Sequence, residues 1–186
     1  MVGNTKLFAG LEQTALDAGA YRASVIDVRK VVLDDSFRTI CESNACGAYG
    51  RCWACPPDVG DIDVLMRELS AYSWALVFQS VGMLEDSFDI EGMGRSADDH
   101  ARLTLQVRDA CKTAPFSKQL CLAAGGCHVC ASCAKTEGKP CRFPDRMLAS
   151  LEAYGVNVSA LADAAGMKYI NGQNTVTFFS AIFFNL

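Results

Sequence analysis

Apolar residues recur at helical spacing over positions 6–18. Leu7, Phe8, Leu11, Ala15 and Leu16 fall mostly on one face, and Gly19 stops the run, which predicts a helix. The period then changes. Over 23–33, Val25, Asp27 and Arg29 alternate with Ile26, Val28 and Lys30 before the run Val31, Val32, Leu33, and this β-branched content predicts a strand. Residues 61–72, DIDVLMRELSAY, predict a helix with an acidic start, and 73–84, SWALVFQSVGML, read as the clearest core strand. Residues 85–95 form a polar, glycine-punctuated stretch that reads as a loop. Ser96, Asp98 and Asp99 then open a predicted helix to about Cys111, kinked or restarted near Pro115.

The apolar segment 117–126 predicts a short strand. Residues 143–155, FPDRMLASLEAYG, predict a helix begun by Pro144 and capped by Gly155. Residues 157–167 predict another short helix, and 175–184, TVTFFSAIFF, a strongly β-prone terminal strand. The sum is one α+β (or α/β) domain over 1–186, with a sheet of about four strands among helices. Two cysteine-rich loops, 41–57 and 125–144, emerge near element ends.

Composition narrows the function classes. The chain has 186 residues, 51% of them hydrophobic, so a core of its own is within reach without covalent staples. No apolar run reaches the ~18–20 residues that span a bilayer, and the first residues lack the long apolar stretch and cleavage site of a signal peptide. Net charge is −4 without a basic tract, which argues against nucleic acid as partner. Ten cysteines without an export signal point to the cytoplasm, where clustered thiols serve metal or redox chemistry rather than disulfides.

Eight of the ten fall into two groups. Cys127, Cys130 and Cys133 make a C-x2-C-x2-C run, with Cys141 farther on. Three thiolates at every third position wrap the chain around a compact object, and an iron–sulfur cube offers each of them a separate iron. Structural zinc sites usually consist of two C-x2-C pairs about 12–20 residues apart, a layout the triple does not share. Cys41, Cys46, Cys52 and Cys55 read C-x4-C-x5-C-x2-C-P, with intervals that partly match plant-type [2Fe–2S] spacing; structural zinc and a second cube both remain open for this group. Gly47, Gly50, Gly125 and Gly126 let backbone N–H groups approach cluster sulfur, Arg51, Lys139 and Arg142 offset thiolate charge, and Trp53 shields one face. His128, between Cys127 and Cys130, is a hydrogen-bond donor or a seldom-used ligand, against the plainer reading of a solvated loop side chain. Cys111 and Cys121 read as core packing, and His100 as a surface residue.

The segments CGAYGRCWACPP, GGCHVCASCAKTEGKPCRFP with the following SLEAYGVNV, and TVTFFSAIFF together resemble an uncharacterised bacterial and archaeal family of predicted metal-binding proteins, from about residue 20 to the end. The resemblance implies cysteine-bound metal in a cytoplasmic protein, mostly of anaerobes, held by the same eight cysteines; it implies no reaction. His128 departs from the family's usual pattern.

The first reading is therefore an iron–sulfur protein with two [4Fe–4S] clusters, on Cys41/46/52/55 and Cys127/130/133/141, serving electron transfer or a redox accessory role. In a cross-over variant one loop lends a ligand to the other's cluster. The second reading is an enzyme in which one cluster keeps an open iron site for a small substrate, and the third is a zinc-stapled interaction domain. The implied partner is a redox protein or a small molecule, and a homo-oligomer is compatible with the chain.

Overall fold

The computed structural model describes residues 2–186, with side chains from Asn4 onward. Its frame is a four-stranded, wholly antiparallel sheet built from β1 (Arg22–Asp27), β2 (Trp74–Met83), β3 (Lys118–Leu122) and β4 (Thr175–Asn185), in the order β1-β2-β4-β3. The antiparallel pairing makes the fold α+β rather than α/β. β2 and β4 form the spine, paired from Trp74↔Phe184 to Met83↔Thr175. Both strands read as near-continuous apolar runs because both faces of the sheet are covered.

One face carries Leu76, Phe78, Ile182 and Phe184 under α1 (Val2–Asp17) and α4 (Ile90–Ala110), which add Leu11, Ala15, Leu103 and Val107. The other carries Ala75, Val77, Phe179, Ala181 and Phe183. It lies under α3 (Ile62–Ser70), α5 (Val158–Ala164) and the coil around Leu151 and Tyr154. Phe78, Phe179, Phe183 and Phe184 are fully buried, each stabilising the fold by about 1.5–3 kcal/mol. Among the described residues, no helix is long and apolar enough to cross a membrane.

Several predicted elements are corrected. The first strand stops at Asp27, not Leu33, because the Asp27 carboxylate accepts the Arg29 N–H at 2.9 Å and caps a 3-10 turn over Val28–Lys30. Leu33 then meets Val156 only as an isolated bridge. A helix without an apolar stripe, α2 (Ser36–Glu42), precedes the first cysteine loop and buries none of its residues. α4 starts at Ile90 inside the predicted loop, since Asp89 Oδ1 accepts the Gly92 N–H at 2.7 Å as an N-cap. The predicted helix over 143–155 is two 3-10 turns, Pro144–Arg146 and Glu152–Tyr154. Between them the backbone is claimed by the end of β3, where Ala123 N–H donates to Ala149 O and Leu151 N–H to Ala123 O.

His100 is a second correction of kind. It is 2% exposed, on the buried face of α4, with Nδ1 and Nε2 each 2.8 Å from a serine hydroxyl, Ser80 and Ser180. Nearby, Gly82 of β2 leaves no room for a side chain. A Cβ there would lie 2.1 Å from Ser96 Oγ and 2.7 Å from Ser96 Cβ on α4. Gly82→Ala is expected to cost about 1 kcal/mol, because the hydroxyl can turn aside but the Ser96 Cβ must shift. Urea denaturation reads this, and an unchanged midpoint would contradict so close an approach of α4 to β2.

Candidate metal centre

The first cysteine loop starts on a helix. Cys41 lies in the last turn of α2 and Asn44 takes φ 55°. The chain then doubles back through Gly50, whose φ of 67° suits a residue without Cβ and whose N–H donates to Pro56 O at 2.9 Å. That reversal carries Cys46 outward and brings Cys52 and Cys55 inward on a tight turn, Cys55 N–H to Cys52 O at 3.1 Å. The second loop leaves β3 where Ala123 is fastened to Ala149 and Leu151. A 3-10 turn over Ala134–Glu137 follows Cys133 and ends at left-handed Gly138, which returns the chain toward Cys141.

The two loops are pinned to each other. Trp53 Nε1 donates to Lys139 O at 3.0 Å, and Lys135 Nζ stands 4.2 Å from the centre of the Trp53 ring. Lys135 also pairs with Asp58, both side chains being largely shielded from solvent. Gly126 faces the first loop closely enough that a Cβ on it would touch the Ala48 methyl at 4.0 Å.

This pinning redistributes the thiols. All ten cysteines are free. Cys52, though from the first loop, lines one small hollow with Cys127, Cys130, Cys133 and Cys141 of the second. Its thiol is held down to about 5, first by the Cys55 thiol that donates to it, then by the N–H groups of Ala54 and Cys127 and by the Cys133 thiol, against the opposing effect of burial. The same bond to Cys52, followed by burial and the charges of Cys52, Cys46 and Cys41, pushes Cys55 up. Burial raises Cys41 and Cys127 as well. Cys52 is thus the hinge between Cys41, Cys46 and Cys55 on one side and the four thiols of the second loop on the other.

The donor set is chemically that of a thiolate-bound metal. The hollow measures about 20 Å³, room for about one water molecule, so taking in a four-iron cube requires the loops to part. Among the described residues, no three His, Cys, Asp or Glu side chains converge closely enough to hold a single metal ion.

The predicted supporting residues divide. The N–H groups of Gly47 and Gly50 serve the backbone, on Asn44 O and Pro56 O. Arg142 borders the hollow, but its guanidinium is engaged by Ser132 O at 2.8 Å and Glu137 at 3.2 Å, and Lys139 pairs with the same Glu137. Arg51 is exposed. His128 points its Nδ1 at Asp98 Oδ1 on α4, 3.0 Å away. Cys111 and Cys121 pack into the layer under α1 and α4, burial pushing their thiols up to about 11 and about 12.

Sequence reasoning missed Glu152, which is half-buried, has one buried carboxylate oxygen without a partner and titrates above its ordinary range because of that desolvation. Its charge reaches Cys41, as does that of Arg38, whose guanidinium is held by Gly60 O and Ala153 O. No local pattern joins Glu152 to Cys41; only the packing of α2 on the Glu152–Tyr154 turn brings them together. Also unforeseen is a groove of about 690 Å³ between α4 and the second loop, lined in part by Cys127, Val129 and Cys130, which border the thiol hollow too.

A family model described as "Predicted metal-binding protein (DUF2284)" matches residues 24–184. No curated protein and no solved structure matches the chain.

Proposed function

Because the chain belongs to this family of predicted metal-binding proteins, we propose that its eight clustered cysteines hold two [4Fe–4S] clusters and that the protein passes electrons to or from a redox partner protein in the cytoplasm. The observation that carries the reading is the single hollow shared by five thiols, with Cys52 crossing over from the first loop. It supports the variant in which one loop lends a ligand to the other's cluster, as two-cluster ferredoxins do. When bound, such clusters supply one-electron reduction and oxidation. The chain's own work is to hold them near each other, through the Trp53–Lys139 and Lys135–Asp58 clamps, and to keep water from Cys52.

A second reading is favoured by the groove beside Cys127 and Cys130: an iron–sulfur enzyme with a small substrate next to an open iron site. If Cys52 stays with its own loop and Cys141 is left free, the second loop's cube would keep three thiols, and its open iron would lie beside the groove that Cys127 and Cys130 line. Anaerobic purification followed by metal, sulfide and electron paramagnetic resonance analysis tests both. The expected sample is brown, with about eight iron and eight labile sulfide atoms per chain. A colourless protein holding stoichiometric zinc would replace both readings with a zinc-stapled domain.

A further inference from the structure

The groove of about 690 Å³ falls within the size range of small-molecule sites. One wall is the middle of α4, with Asp98, Arg102 and Leu105; the other is the second cysteine loop with Val129, and Arg146 and Leu148 complete the lining. The charges in it are not equivalent. Asp98 is engaged by His128 at 3.0 Å, and Arg102 by Asp99 within α4. Arg146 has neither an ion pair nor a side-chain hydrogen bond among the described residues. Its position is nevertheless held. Arg108 of α4 donates to Asp145 O at 2.8 Å, which fastens the Pro144–Arg146 turn onto the helix.

The groove therefore sets an exposed, unpaired guanidinium beside the apolar side chains of Leu105, Val129 and Leu148, in a lining that is otherwise mostly polar. The α4 segment that lines it lies inside a helix spanning Ile90–Ala110, so its backbone N–H groups are used within the helix and no free helix N-terminus is offered to a phosphate. A lone guanidinium fork matches the two coplanar oxygens of a carboxylate. We infer that this groove binds a small carboxylate with an apolar body, its carboxylate on Arg146 and its body against Leu105, Val129 and Leu148, next to Cys127 and Cys130. Its place beside a cluster rests on the reading of those two cysteines as cluster ligands; the binding of the carboxylate does not.

Isothermal titration of the anaerobically purified protein with benzoate, hexanoate, phenyl phosphate and benzyl alcohol tests this. Benzoate or hexanoate is expected to saturate a single site. Affinity should fall about tenfold or more in Arg146→Gln, vanish in Ala101→Trp, which fills the groove, and stay unchanged in Arg22→Gln on β1, an exposed residue outside the groove. Benzyl alcohol should not bind. Absence of saturable binding, equal binding by Arg146→Gln, or preference for phenyl phosphate over both carboxylates would overturn the inference. Arg146-dependent benzoate binding by a colourless protein would leave the groove and remove the iron–sulfur reading. A brown protein without any carboxylate binding would do the reverse. In the iron-loaded protein, bound benzoate is expected to change the paramagnetic resonance line shape, and an unchanged line shape would overturn the placement beside Cys127 and Cys130.

Discussion

Cys52→Ala is expected to strip iron from both cysteine loops, not from its own alone. Cys130→Ala or Cys133→Ala should remove about four of about eight iron atoms per chain, and Cys41→Ala or Cys46→Ala the other four, because each serves one cube. Cys52 differs by position. Its thiol is held low first by Cys55 of its own loop and also by Cys133 of the other, and it lines the hollow with all four thiols of the second loop. Losing it unties both groups at their junction. Cys111→Ala and Cys121→Ala should keep full iron, since both thiols pack under α1 and α4. Iron counting on the single variants, with circular dichroism to confirm folding, reads the outcome. Full iron in Cys52→Ala would sink the shared-ligand arrangement, and an identical loss in every variant would mean one joint centre rather than two.

The second large effect is a loss of stability on mild acidification, traced to His100. Burial holds its pKa down to about 4, and Phe78 and Phe178 lie around the ring, at 6.3 and 5.6 Å between centres. The groups bonded to it are hydroxyls: Ser80 and Ser180 on the ring, with Thr104 bonding both Ser180 and the His100 carbonyl. Among the described residues, no carboxylate stands there to welcome a proton. A histidine depressed in the folded state favours folding fully above its unfolded pKa, about 6.5. That contribution drains away as pH falls from there toward the folded value, because the unfolded chain takes up the proton first. Between about pH 7.5 and about pH 5 the loss amounts to about 2 kcal/mol.

Other groups titrate in the same window with their own signs. Cys52, held low, loses stabilisation as pH falls through about 5, while half-buried Glu152, held high, regains some. The informative quantity is therefore the difference between the wild type and His100→Gln, whose amide keeps the size and the hydrogen bonding of a neutral ring. Urea denaturation at the two pH values should show the wild type losing about 2 kcal/mol more than the variant. Parallel losses would place a charged imidazole in the fold after all.

Local chemistry was readable wherever it is carried by neighbours along the chain. The apolar periods of β2, β4, α1, α3 and α5 survive into the structure because these segments bury the faces that their own patterns mark. The eight clustered cysteines were legible for a similar reason, since ligand spacing within a loop is itself a geometric statement. Elements governed by distant partners were not legible. The stretch 143–155 has helical composition, yet Ala149 and Leu151 bond to Ala123 instead. His100 follows two aspartates and reads as surface, until α4 is laid on the serine-bearing strands β2 and β4.

The amino-acid order by itself thus determined which thiols cluster along the chain and most of the helices and strands that carry them, because spacing and period are properties of the chain alone. Only the tertiary structure decided that Cys52 joins the opposite loop, that Glu152 approaches Cys41, and that a groove bearing Arg146 opens beside Cys127. Each of those depends on contacts between segments far apart in sequence. Such contacts are set by how the two covered faces of the sheet are packed, which no local pattern records.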